Sequence, residues 1–289
     1  MASTILIVGA SGALGMHLVR ESIEKGFKVR VLTRSEEGFV KLKEYTADIW
    51  RLDASKETNQ LQDITKDIDY VVSALGKSIS LFHPTSNSFY DNNYKANSNI
   101  IADAKKHQVK RFFYVSMKGA DSASEFTIPR MHKMVEEKLE KSGLEYSIIR
   151  PVGFFSGLND LIIMAKRQII PLLGDGQAKT NSIYHGDLAN YIMTTFLDLP
   201  KLMEIGGPIV HSREEMAEMI QKHIRGKIVK IPTTLAKVGN DFSNLISKEQ
   251  FGHKLSYFTH IMTHDMIGEK RGFLSFENYL KEIDLDKIK

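Results

Sequence analysis

The feature that most limits how this chain can fold lies in its first two dozen residues. Thr4-Ile5-Leu6-Ile7-Val8 is apolar and β-branched almost without a break, the pattern of a strand buried on both faces of a parallel sheet. Leu14, Leu18, Val19 and Ile23 then recur at helical spacing, giving one apolar stripe on a helix that ends near Gly26. Gly9, Gly12 and Gly15 lie at the junction. Strand, glycine turn and helix in this order open a βαβ unit.

In such a unit Gly9 permits the tight turn, Gly12 lets a ligand approach the backbone, and Gly15 lets the helix lie close on the strand. The N–H groups from Ser11 through Ala13 and Leu14 then face outward. There they suit a pyrophosphate, which also meets the positive end of the helix dipole. The spacing is Gly-x-x-Gly-x-x-Gly, not the Gly-x-Gly-x-x-Gly of the general dinucleotide fingerprint. A P-loop is excluded, because Met16 and His17 stand where Lys and Ser or Thr would be needed.

The alternation continues through the first half. Strands are predicted at Lys28–Leu32, Asp48–Leu52, Tyr70–Ala74, Arg111–Ser116 and Tyr146–Ile149, with helices at about 92–107 and from Pro129 to Ser142. Right-handed crossovers make this an α/β, doubly wound parallel sheet. After Pro151 the pattern loosens, with Pro171, Gly174, Gly176, Gly206, Gly207 and Pro208 between helices. We therefore expect a dinucleotide-binding domain over 1–155 and a smaller α/β substrate lobe over 156–289, interleaved with the first. The lobe would hold a helix at Ala217–Lys222, a strand near Lys227–Ile231 and a final helix around Phe276–Ile283.

The chain has no cysteine, which rules out disulfides, thiolate catalysis and cysteine-based metal sites. A net charge of +4, with basic and acidic residues interspersed, is a solvated surface and argues against a nucleic-acid partner. No run is long and apolar enough to span a membrane, and nothing in the opening residues has the form of a leader, so a cytoplasmic location is the expectation.

The second strand decides between dinucleotides. An acidic residue at its end favours NAD; here the strand ends Leu32-Thr33-Arg34-Ser35, and the planar fork of Arg34 suits a 2′-phosphate. NADP(H) is therefore favoured over NAD(H). Asp53, just past the third strand, is placed either to bond the adenine amino group or to serve as the N-cap of the next helix.

Together with Gly9-x-x-Gly12-x-x-Gly15, four further stretches carry a family likeness: Val71-Val72-Ser73-Ala74-Leu75-Gly76, Val109 through Ser116, Ile149-Arg150-Pro151 and Ile183-Tyr184-His185-Gly186-Asp187. The chain resembles the atypical short-chain dehydrogenase/reductases of Rossmann fold, particularly the NmrA-like NAD(P)H-binding members, to about residue 222. The resemblance implies that Ala74, Leu75 and Gly76 border the cofactor and that Ser116 lies beside the nicotinamide. It also implies that Pro151, Gly153 and Phe154 run under the ring, and that Lys133 is the lysine of the family's Tyr-x-x-x-Lys pair. In that pair the lysine charge lowers the tyrosine pKa, so that the phenol can exchange a proton with substrate oxygen. Here the tyrosine slot is Pro129, which carries no proton.

Lys133 and Ser116 thus remain as catalytic candidates, with NADPH giving hydride to a small apolar acceptor such as a quinone, enone or similar carbonyl. Phe82, His83 and Phe155 are candidates for an apolar substrate wall. His260 and His264 stand one helical turn apart, but Ile261 occupies the position where a metalloprotease helix has Glu, and no metal is expected. Asp187 is expected to cap a helix beginning at Leu188. The competing readings are a non-catalytic NADP(H)-sensing regulator and a scaffold subunit, each acting through a protein partner.

Overall fold

The computed structural model describes residues 2–56, 61, 63–76, 80–82, 88–234, 249–285 and 288. The first half runs β1 (Thr4–Val8), α1 (Ala13–Glu24), β2 (Lys28–Thr33), α2 (Glu36–Leu42), β3 (Ile49–Arg51) and β4 (Tyr70–Ser73). A π-helical turn (Tyr90–Lys95) leads directly into α3 (Ala96–Lys106), followed by β5 (Arg111–Val115), α4 (Thr127–Glu140) and β6 (Tyr146–Pro151). After a 3₁₀ turn (Phe155–Leu158) come α5 (Asn159–Lys166), β7 (Ile169–Leu173), β8 (Lys179–Thr180), α6 (His185–Thr194), β9 (Leu202–Gly206), β10 (His211–Ser212), α7 (Arg213–Ile224) and β11 (Lys227–Ile231). The last elements are α8 (Glu249–Thr263), β12 (Glu269–Lys270) and α9 (Phe276–Glu282).

Eight strands form one sheet in the order β12-β9-β6-β5-β4-β1-β2-β3, and every pairing is parallel. The strand order reverses between β1 and β4, so a crevice opens there beyond the strand ends. The period-2 geometry of β1 explains its unbroken apolar run: Ile5 and Ile7 face one helical layer, Leu6 and Val8 the other. On the first face α1 and α6 pack together through Leu14, Leu18, Leu188 and Ile192. On the second, α3 and α4 supply Ile100, Ala104, Val135 and Leu139.

The chain beyond residue 155 serves both parts, because β9 and β12 extend the main sheet and α6 covers it. The remaining elements build a smaller lobe. There β7 and β11 pair in parallel, and α5, α7, α8 and α9 surround a separate core containing Ile162, Ile170, Leu172, Ile220 and Phe276. A capping box, Ser212 with Glu215, starts α7.

One local expectation needs correction. Helix α6 begins at His185, not Leu188, and Asp187 does not cap it. The Asp187 carboxylate instead accepts the N–H groups of Phe273 (2.8 Å) and Leu274 (2.9 Å), tying the C-terminal segment to this helix. Among the described residues, no helix is long and apolar enough to cross a membrane.

Candidate functional site

The glycine turn is a close-packed joint. Gly9 has φ +79°, and Gly12 N–H donates to Gly9 O at 3.0 Å. A Cβ at Gly15 would come within 2.1 Å of Gly9 O, and one at Gly9 within 2.8 Å of Ala74 O. Side chains are therefore sterically excluded at both positions. Ala74 N–H bonds Val8 O at 3.0 Å, which sets the Ala74–Leu75–Gly76 backbone against the turn. Gly12 is the N-cap of α1 and gives its first N–H groups no side-chain acceptor; Ala13 beside it is exposed, and so is Gly12 itself. These groups are available to an anionic ligand.

At the edge beyond β2, Arg34 is exposed and donates to Asn92 Oδ1 at 2.9 Å, linking the end of β2 to the π-helical turn. Asp53 is engaged locally: Oδ1 accepts the Ser55 N–H (3.0 Å) and hydroxyl (2.7 Å). Burial pushes this carboxyl up, but the two Ser55 bonds and the charges of Arg34 and Lys56 outweigh it and hold it below the usual range. The carboxylate thus closes a turn at residues 54–56, which are not helical, and it does not form the expected helix N-cap.

At the ends of β5 and β6 the site is built on buried charge. Ser116 is buried, and its hydroxyl donates to Glu136 Oε1 at 2.7 Å. Glu136, fully buried on α4, is gripped by Arg150 through Nε to Oε1 (2.9 Å) and a terminal nitrogen to Oε2 (2.7 Å). Arg150 also reaches Asp121 at 2.6 Å. The Glu136 bond raises the guanidinium pKa against the opposing effect of burial, and Asp121 adds to the rise. Lys133 lies one turn before Glu136, partly exposed, with Nζ 3.9 Å from Oε2. The Ser116 proton is thus committed inward, and toward the crevice this side chain can only accept hydrogen bonds. Lys133 is the donor of the pair.

Beside this cluster is a neutral network. Tyr114 Oη and His132 Nδ1 share a hydrogen bond of 2.8 Å, and His132 Nε2 meets Asn93 Nδ2 at 3.2 Å. Asn97 accepts from Ser73 (2.5 Å) and donates to Leu75 O (3.1 Å) and Asn93 O (2.6 Å). Burial lowers the His132 pKa to about 4, so the ring is neutral at pH 7. A Cβ at Gly76 would lie 3.8 Å from its Cε1, which places the ring directly behind the exposed Gly76 backbone.

The strand-end segment after Pro151 turns back on itself. Ile183 N–H bonds Gly153 O at 2.8 Å, and the Phe154 ring stacks on His185 with centroids 4.2 Å apart. Phe155, expected on the same wall, points the other way: it is buried in the lobe core, 5.4 Å from Phe276 and 5.1 Å from Tyr279, ring to ring. Phe82 also sits in the lobe, under the Arg167 guanidinium at 5.1 Å. His83 lies outside the described residues. His260 and His264 stack at 4.2 Å, with His264 Nδ1 held 2.9 Å from the His260 carbonyl.

The structure therefore gathers the glycine turn, Ala74–Gly76, Ser116, Lys133 and Gly153–Phe154 at the carboxyl ends of the central strands β1, β4, β5 and β6. Arg34 and Asp53 lie at the ends of β2 and β3. Glu136, Arg150, His132 and Asn93 went unread as site residues. A signal was present on α4: among its buried positions, 128, 131, 132, 135, 136 and 139 follow helical spacing, with Pro129 beside them, and two carry ionisable groups.

A family model described as NAD(P)H-binding matches residues 9–198. The Photosystem II assembly factor Ycf39 of Cyanophora paradoxa is 31% identical over 156 residues, covering 54% of this chain and 47% of that protein. The mitochondrial NADH dehydrogenase (ubiquinone) 1 alpha subcomplex subunit 9 of Arabidopsis thaliana is 28% identical over 245 residues, 80% of this chain and 61% of that protein. The chain spans about half to three fifths of the length of these curated relatives. Among solved structures, an NADPH-dependent quinone oxidoreductase from Escherichia coli, complexed with NADPH, matches with a TM-score of 0.73 at 15% identity. That match covers 96% of this chain and 98% of the other, a likeness of fold.

Proposed function

Because the chain belongs to the NAD(P)H-binding family, we propose that it is an NADP(H)-dependent reductase acting on a small apolar acceptor, a quinone, enone or similar carbonyl. The observation that carries this reading is Pro129 in the tyrosine slot beside a Ser116 whose proton is already committed. Neither residue can protonate an acceptor oxygen, which leaves Lys133 or water as the proton source. A simple ketone reduced here would leave as a strongly basic alkoxide, which needs an acid in place. A quinone or enone leaves as a delocalised oxyanion, a far weaker base that can take its proton from water. With the tyrosine absent and only Lys133 or water left to give a proton, the site favours that acceptor class.

The residues present fit the cofactor. The uncapped start of α1 would hold the pyrophosphate, and Arg34 would exchange Asn92 for the 2′-phosphate. When bound, the nicotinamide supplies hydride. Ser116 would accept a hydrogen bond from a carboxamide or ribose donor, and Glu136 keeps its hydroxyl aimed inward. Lys133 would steady the ribose and offset negative charge growing on the acceptor. The apolar side of Phe154 completes the wall.

A second reading rests on the same Pro129 and on relatives named as an assembly factor and as a subunit of a larger complex: NADP(H) binding without turnover, read by a protein partner. Fluorescence of the single tryptophan, Trp50, three residues before Asp53, tests both. NADPH should bind more tightly than NADH, and Arg34→Ala should weaken NADPH by about tenfold or more while leaving NADH unchanged. Oxidation of bound NADPH by members of a quinone and enone panel, but not by simple ketones, is the expected result. Binding without turnover across the panel selects the second reading, and absence of NADPH binding by fluorescence and calorimetry refutes both.

A further inference from the structure

The lobe holds a second concave feature apart from the crevice at the strand ends. Strand β7 is apolar throughout, yet its two faces differ. Ile170 and Leu172 are fully buried in the lobe core, whereas Ile169 and Pro171 face a groove that Leu173, buried in the same core, also lines; Ile169 is 52% exposed. A continuous apolar strand of this kind is suited to cover on both sides. Leu255 and Phe258 of α8, one turn apart, and Phe82 line the groove with them. The groove measures about 460 Å³, within the range of single small-molecule sites. None of the residues proposed to hold the cofactor lines it.

Its lining is apolar except for Thr259 and Arg167. Arg167 follows α5 and is exposed, with its guanidinium over the Phe82 ring at 5.1 Å. No ion pair or side-chain hydrogen bond of Arg167 is found among the described residues. The Phe82 ring gives the guanidinium a cation–π contact but no hydrogen-bond acceptor, and a guanidinium grips a carboxylate through two parallel N–H bonds. The wall that presents Phe82 is anchored: Ser80 Oγ and Leu81 N–H donate to the buried Asp160 carboxylate at 2.5 and 2.7 Å, and Lys254 donates to Ser80 O at 2.7 Å. One fixed cation at the rim of a preformed apolar trough is complementary to one amphiphile. We propose that this groove binds a monomeric medium-chain carboxylate, its chain along β7 and α8 and its head on Arg167. The proposal does not depend on the reductase reading.

Calorimetry on the full chain with decanoate, kept below its micellar concentration, tests it. Decanoate should bind one-to-one and more tightly than decyltrimethylammonium. Arg167→Gln should weaken decanoate about tenfold and abolish that preference. Ile169→Glu, which sets a like charge at an exposed position of the groove wall, should weaken it as much; both substitutions are at exposed side chains, and thermal melts check that each variant folds. Decanoate binding should persist with NADPH present. No heat up to about 1 mM decanoate overturns the proposal, as does binding indifferent to both substitutions. Binding abolished by NADPH would move the ligand to the cofactor crevice and also overturn it. So would Arg167-dependent association with phosphatidylglycerol vesicles in the absence of decanoate binding, which would make the groove a lipid-surface contact.

Discussion

Glu136 and His132 sit on the same buried stripe of α4 and solve the problem of burial in opposite ways. Glu136 is met by hydrogen bonds at both oxygens, from Arg150 and from Ser116. His132 loses its charge: Tyr114 and Asn93 give it neutral partners, and burial holds its pKa at about 4. His185, stacked on Phe154, is likewise lowered to about 4, by burial first and by the nearby His17 second. Both histidines therefore bind protons more readily in the unfolded chain than in the folded one. Their linkage has a definite sign: stability is full above about pH 6.5 and falls as the pH drops toward 4, by about 1.4 kcal/mol per unit for each ring. Urea unfolding at pH 7.5, 5.5 and 4.5 should show this decline. In His132→Gln, where an uncharged amide replaces the ring, the part of the slope that this ring contributes, about equal to that of His185, should vanish; an unchanged slope would mean that His132 is not buried as a neutral group.

The turn between β1 and α1 shows how an element is specified by what cannot be added to it. Gly15→Ala puts a methyl group 2.1 Å from Gly9 O, against backbone that has no room to yield. Helix α1 must then lift from β1, costing stability of about 2–4 kcal/mol and displacing the N–H groups of Ala13 and Leu14. A lowered melting temperature together with at least a tenfold loss in NADPH affinity is expected; near-normal values of both would show that the joint is looser than drawn here. This element was legible in the sequence because everything it needs is local: an apolar strand, three glycines and a stripe at helical spacing. The same holds for β2, β4, β5 and β6, and for β11, where Lys227–Ile231 was read with the bounds observed. Strands β8, β10 and β12, two residues each, leave no period to detect and exist only through distant partners such as Thr180 with His211. Helix α4 starts at Thr127, with Pro129 tolerated in its first turn, and the π-helical turn before α3 has no signature that separates it from ordinary helix. The Glu136–Arg150 pair was hidden for a related reason. Its partners come from α4 and β6, fourteen residues apart, and only the crossover brings them together.

At the scale of the whole molecule, a boundary drawn at residue 155 separates chain segments but not cores. Leu188, Ala189 and Ile192 of α6 are fully buried in the layer that α1 also occupies. Phe196 stacks on Phe113 of β5 at 4.2 Å, and β9 pairs with β6 from Ile148 to Pro151. A fragment ending at 155 would expose that face of the sheet and leave β6 as a bare hydrophobic edge. Uncovering Leu188, Ile192, Met193 and Phe196 contacts alone forfeits roughly 8 kcal/mol at about 2 kcal/mol per side chain, comparable to the entire stability of an ordinary domain, about 5–15 kcal/mol. Fragment 1–155 is therefore expected to show no cooperative urea transition and no NADPH binding, although it contains the glycine turn, Arg34, Ser116 and Lys133. The 289-residue chain should unfold in a transition that includes the sheet and α6 together, with amides of β5, β6, β9 and α6 sharing one level of hydrogen-exchange protection. A cooperatively folded, NADPH-binding 1–155 fragment would mean that the nucleotide half stands alone and that the later chain is an appendage. Loss of both properties would mean that the residues after 155 act on the crevice through the sheet they complete, so that a ligand held in the lobe and a cofactor at the strand ends share one folded unit.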